Sequence, residues 1–342
     1  MFRSLALGLA TALALFAATP VAAQTTTLTV STWVPPGHPI NTTMLPAWFK
    51  QVEEATQGRV KFRVLPKTAG AVGGQVDAVR DGLADVGYTA HGYNPGRFVL
   101  QELAELPLLG ETSLESSIAY WRIFQKHLAK FNEHEGIVVL STMVSEGRLH
   151  NARHEITSVG DLKGLKIRVA GGNTIETAKL LGIVPVQKPI NEIYEMLSAG
   201  IVDGAMMPML TVQSFGLLDK LTHTLVVPGA LYNSSYSLFI NPAKFAKLSP
   251  QDQEALRKTA GENFARIWGG TARDGDIKAE AEARRVGNKV TKISPAFEAE
   301  LRKALEPIDR HWIERAKAKG LSNAEEILKE FRAEAKQASA SH

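Results

Sequence analysis

Asp161-Leu-Lys-Gly-Leu-Lys-Ile-Arg168-Val169, followed after a helix-like stretch by Gly200-Ile-Val-Asp203-Gly-Ala-Met-Met207-Pro208, is the part of the chain that decides its fold. Lys166 and Arg168 alternate with Leu165, Ile167 and Val169, the period-two pattern of a strand with one buried face. An always-charged guanidinium therefore sits near the end of an otherwise apolar strand. Such a group needs an anion, and the sequence offers no obvious neighbouring acid. That points to a carboxylate brought from outside.

Strand and helix alternate around this stretch. Strand 165–170, helix 174–182, strand 183–188 and helix 191–199 follow one another. Upstream the same grammar holds: strand 26–33 ending at Trp33, the rigid turn Val34-Pro-Pro-Gly-His38-Pro39, helix 42–57, strand 59–65, helix 73–84, strand 86–89, helix 114–134 and strand 137–144. This predicts an α/β chain with largely parallel sheets and helices on their faces. Asp81-Gly82-Leu-Ala-Asp85-Val-Gly echoes Ala199-Gly200-Ile-Val-Asp203-Gly-Ala: helix, terminating Gly, then a short strand near an Asp. The echo is either chance recurrence of a common turn or the mark of two similarly built lobes, with Tyr88 and Met207 facing one crevice. After residue 240 the chain becomes mostly helical. Ser249-Pro250 and Ser294-Pro295 start helices, Gly269-Gly270 and Gly275 interrupt the first of these patterns, 323–337 forms the last helix, and 338–342 is a frayed tail.

The first 23 of 342 residues carry Arg3, a short apolar run and Val21-Ala22-Ala23, the pattern of a cleaved export signal, so the mature chain starts at Gln24. No later segment reaches the roughly 18 apolar residues of a membrane span. Cysteine is absent, which excludes thiol catalysis and Cys-ligated metals. The net charge of +4 is interspersed, with no basic stripe to suit nucleic acid. No nucleophile elbow, zinc helix, Walker loop or EF-hand loop is present. His150 and His154 are four apart but fall between strands without a third ligand. Neither a metal site nor a cofactor is called for.

The constellation Gly147-Arg148, Asp161 to Val169, Glu192-Ile-Tyr-Glu-Met-Leu and Val202 to Pro208, with Gly82-Leu-Ala-Asp85 and Glu105-Leu-Pro-Leu, resembles the DctP-type solute receptors of tripartite ATP-independent periplasmic (TRAP) transporters. The resemblance covers most of the mature chain. It implies two α/β lobes joined by hinge strands near 145–150 and 230–240, with a long lobe-spanning C-terminal helix. The expected division is 24–148 plus about 233–275 for lobe I and 149–232 plus about 276–337 for lobe II. It also implies a periplasmic receptor, not an enzyme, that passes an organic acid to integral membrane permease subunits and does not itself span the membrane.

By the same resemblance Arg168 makes a bidentate carboxylate salt bridge, Arg148 is a second ligand-facing Arg, Ile190 covers the ligand, and Met207 stands where Asn is common. Trp33, Tyr88, His91 and Tyr232 are further candidates. Met207 offers only a weak acceptor sulfur, so the expected ligand is a monocarboxylate with an apolar or aromatic body. A C4-dicarboxylate or sugar acid is the alternative within the family; a sensor subunit or an enzyme on a two-lobed fold is the alternative outside it. Met206 and Met209 are either core or part of a Met-lined pocket.

Overall fold

A computed structural model describes residues 25–109 and 112–340. The export-signal reading of 1–23 lies outside the described residues. Ten strands form one connected sheet: β1 (Thr26–Val30), β2 (Val60–Val64), β3 (Val86–Ala90), β4 (Val138–Asn151), β5 (Lys166–Val169), β6 (Val184–Gln187), β7 (Gly204–Met207), β8 (His223–Val226), β9 (Tyr232–Ile240) and β10 (Lys289–Lys292). The main path runs β2-β1-β3-β9-β4-β7-β5-β6, and β8 joins β10 to β4. β1 pairs parallel with β2 and β3, and β5 pairs parallel with β6 and β7, as the alternating grammar requires.

The expected strand 137–144 extends to 14 residues and runs through Asn151. Its first part pairs antiparallel with β9 from Val138 to Gly147, and its last four residues pair with β7 on one side. β8 takes the other side from Leu149 to Asn151. β4 therefore belongs to both halves of the molecule. His150, expected in a loop, is a buried strand residue: Nδ1 meets Thr224 Oγ1 at 2.9 Å and Nε2 meets the Met207 carbonyl at 3.0 Å.

The sequence echo has a structural basis. Gly82 and Gly200 both take positive φ, and in both turns the next amide bonds back to the helix, Leu83 N–H to Ala78 O and Ile201 N–H to Met196 O. Only glycine reaches this conformation without a Cβ penalty. Asp85 then accepts the Thr29 amide of β1 at 2.8 Å, and Asp203 accepts the Lys166 amide of β5 at 2.9 Å. Each half uses one carboxylate to fasten a turn to the next parallel strand.

The helical part starts as its caps predict. Ser249 and Ser294 side chains accept the amides of Asp252 and Phe297. The glycines at 269, 270 and 275 do not interrupt the helix Gly261–Arg285, which is 25 residues long. A Cβ on Gly269 would lie 2.6 Å from Leu114 Cα, so this glycine admits the helix Ser113–Ile123 at close range. The segment 276–337, expected with lobe II, divides. Pro295–Leu305 packs on β5 and its neighbours, whereas Ile308, Trp312, Ile327 and Phe331 join Tyr120, Ile123 and Leu103. The expected frayed tail 338–342 is corrected for 338–340: the last helix runs Ala324–Ala340, and Ala338 is buried beside Leu114 and Ile118, while 341–342 lie outside the described residues. Among the described residues no helix is long and apolar enough to cross a membrane.

Candidate functional site

Where the two halves of the sheet face each other, a cavity is lined by residues from both. β5 contributes its one polar anchor. Lys166 and Arg168 share a strand face, but Lys166 is exposed while Arg168, two residues further, is only 2% exposed. Its Nε donates to the Lys188 carbonyl at 2.8 Å and its Nη2 to Tyr93 Oη at 3.1 Å. Those two bonds fix the plane of the guanidinium. Among the described residues no carboxylate lies within 4.0 Å of it, and Nη1 has no partner. A buried cation without an anion is costly unless a ligand supplies the charge.

The rest of the wall is mostly apolar and aromatic, with His38, Ser145, Thr211 and Ser234 as its smaller polar members. Trp33, Tyr93, Phe215 and Trp268 line it together with Met206, Met207 and Ile190. Trp33 is held by its Nε1 bond to the Tyr88 carbonyl at 3.2 Å, and Trp268 by its Nε1 bond to Ser145 Oγ at 3.0 Å. Tyr232 reaches the wall because its cross-strand partner is Gly147: a Cβ there would fall inside the Tyr232 ring. The Gly147-Arg148 pair is therefore fixed by packing at its first residue.

Five of the eight expected site residues border this cavity: Arg168, Met207, Ile190, Trp33 and Tyr232. Met206 borders it too, and Met209 packs instead against Ala279 and Ala283. Strand alternation sends Met206 and Met207 into different apolar clusters, yet both reach the open end of β7. Three residues lie elsewhere. Arg148 is engaged by acids of its own, Nη1 bonding Glu280 at 2.7 Å and Nε lying 3.7 Å from Glu146. Tyr88 stands behind Trp33, ring centroids 5.2 Å apart. His91 is buried in a separate polar cluster, bonding Ser235 and Ser237, with His134 at 3.3 Å; burial holds its pKa well below the ordinary value. The residues that sequence reasoning missed, Tyr93, Phe215, Tyr236 and Trp268, come from segments without a motif. Tyr93 had one signal, its place just past the end of β3.

The halves touch directly both at the cavity wall and away from it. Tyr93 Oη accepts the Ile190 amide at 3.3 Å, and Glu105 accepts the Asn173 amide at 3.2 Å. Burial, reinforced by nearby Glu102, pushes the Glu105 carboxyl from 4.5 up to about 8. An acid with a raised folded-state pKa adds stability that is full below about pH 4.5 and is lost as pH rises through about 8. Glu105→Gln mimics the protonated form. Its melting temperature relative to the unmodified protein is expected to rise between pH 5 and pH 9, measured by scanning calorimetry; a constant difference contradicts the assignment. Among the described residues no group of His, Asp and Glu could hold a metal ion.

Residues 30–315 match the family model described as bacterial extracellular solute-binding protein, family 7, DctP. A protein of Comamonas testosteroni named outer membrane transporter protein TsaT is 32% identical over 94% of this chain and 96% of its own length. The structure of a TRAP periplasmic solute-binding protein from Bordetella bronchiseptica, with bound (R)- and (S)-mandelate, is 37% identical and covers 91% of this chain and 99% of its own, with a TM-score of 0.88. A TRAP solute-binding protein from Rhodoferax ferrireducens, in complex with copurified benzoate, is 26% identical over 93% of this chain and 99% of its own, with a TM-score of 0.87.

Proposed function

The chain belongs to family 7 of the bacterial extracellular solute-binding proteins, and from that premise we propose that it captures an aromatic monocarboxylate in the periplasm and delivers it to the membrane permease of a TRAP transporter. The observation that carries this reading is Arg168, buried with no acid partner among the described residues in a wall rich in aromatic and thioether side chains. The guanidinium offers a planar fork to one carboxylate. The rest of the wall offers area and polarizable contacts to a ring. Mandelate and benzoate in the two similar receptors support the same class.

Residues 1–23 act as the export signal, and the role is capture, not catalysis. Closure is a hinge motion through β4, the strand shared between the halves, and its neighbour β9. Tyr93 from one half meets Arg168 and Ile190 from the other only when the halves are together, and a ligand seated between them shifts the population towards that state.

A thermal-shift panel of carboxylates tests the reading. A ligand at 100 times its dissociation constant stabilises by about 2.7 kcal/mol. Benzoate or mandelate is expected to bind at least roughly tenfold more tightly than succinate, a difference of about 1.4 kcal/mol. The second carboxylate of succinate would be desolvated beside Met207, whose sulfur cannot donate to it. Met207→Asn is expected to narrow the gap. Tight succinate or malate binding with no response to aromatic acids would refute the ligand class.

A further inference from the structure

His38 was part of a turn in the sequence reading and has no assigned role. It borders the cavity, 4% exposed, with its ring edge-on to Phe215 at 6.2 Å. Its Nδ1 accepts the Ile40 amide at 3.1 Å. An Nδ1 lone pair used in this way cannot also carry the proton, so the neutral ring must carry it on Nε2. Burial pushes the pKa down to about 4, which keeps the ring neutral at neutral pH. Among the described residues nothing accepts a hydrogen bond from Nε2. The backbone has thus fixed a donor, and the described residues leave it without an acceptor.

His38 and Arg168 are separate features of the wall. Arg168 lies over the Tyr93 ring at 5.9 Å, Tyr93 meets Trp33 at 5.6 Å, Trp33 packs in one cluster with Phe215, and Phe215 meets His38. We propose that His38 is a specificity-determining residue: its Nε2–H donates to an oxygen on the part of the ligand remote from the carboxylate, so the preferred ligands are aromatic acids carrying a hydroxyl, ether or carbonyl oxygen on the ring. The proposal rests on the aromatic-acid reading above and narrows it. An acceptor at that position satisfies a buried N–H, and an apolar substituent of equal size leaves it unpaired.

The test uses two pairs of ligands and one variant, with affinities from titration calorimetry. 3-Methoxybenzoate and 4-methoxybenzoate are each compared with the ethylbenzoate of the same substitution; the members differ in an acceptor oxygen but hardly in shape. In the unmodified protein the methoxy acid of at least one pair is expected to bind roughly three- to tenfold more tightly, the range of one hydrogen bond. In His38→Asn the amide oxygen can still accept the Ile40 amide, so the turn is kept, while the shorter side chain ends its NH2 short of the position of Nε2 and places no donor there. There the preference is expected to vanish while unsubstituted benzoate still binds. A preference absent from the unmodified protein in both pairs, or undiminished in His38→Asn, overturns the proposal and leaves the aromatic-acid reading standing. Failure of benzoate and all four substituted acids to bind the unmodified protein overturns both.

Discussion

Arg168→Ala is expected to lose ligand binding by on the order of 2–5 kcal/mol, roughly 30- to 5,000-fold in dissociation constant. Truncation removes the buried cation that would pair with the ligand carboxylate and leaves that carboxylate desolvated in a largely aromatic wall without its counter-charge. Arg168→Lys is also expected to bind poorly, by at least about tenfold. One ammonium cannot hold the Lys188 carbonyl and the Tyr93 hydroxyl while offering a planar fork to the ligand. Titration calorimetry, with melting curves to confirm that both variants fold, reads the result. Near-normal affinity in Arg168→Ala would remove the anchor.

Gly171→Ala tests closure apart from ligand contact. Gly171 has φ +138°, and a Cβ there would run into the Gly92 carbonyl oxygen and lie 2.7 Å from Gln187 Nε2. Gly92 follows β3 and Gly171 follows β5, so the added methyl wedges the two halves apart. Overpacking costs about 1–3 kcal/mol, and the positive φ adds strain. Since this cost falls on the closed form, the affinity for an aromatic acid is expected to drop roughly 5- to 150-fold. The loss should reside mainly in faster dissociation, seen by stopped-flow tryptophan fluorescence. Unchanged dissociation would mean that this contact does not form part of the ligand-bound state.

Much of this was legible in the sequence, for reasons that also mark where it stopped. Arg168 stood out as a charge on an alternating strand with no acid near, a pattern that a surface charge fits about as often as a ligand contact, and the resemblance to the DctP-type receptors decided between them. The βα alternation from 165 to 207 was readable because each short strand ends at a Gly or Pro signal. The extension of β4 to Asn151 was not, since His150 and Asn151 read as turn residues until Ala205, Gly204 and Thr224 pair with them. Arg148 was misplaced for a related reason. Its partner Glu280 is 132 residues away on a helix, and no local pattern joins the two. Phe215 and Trp268 reach the cavity by tertiary packing alone. His38 showed only as part of a Pro-rich turn, because the fact that matters, which ring nitrogen its backbone occupies, is a matter of three-dimensional geometry.

The central claim is that Arg168 holds the carboxylate of an aromatic acid inside the cavity between the two halves. A crystal structure of the protein grown with benzoate or mandelate measures it directly. The predicted result is both carboxylate oxygens at about 2.7–2.9 Å from the Arg168 guanidinium, with the ring against Trp33, Met207 and Phe215. A carboxylate bound away from Arg168, or a ring outside that wall, would contradict the account.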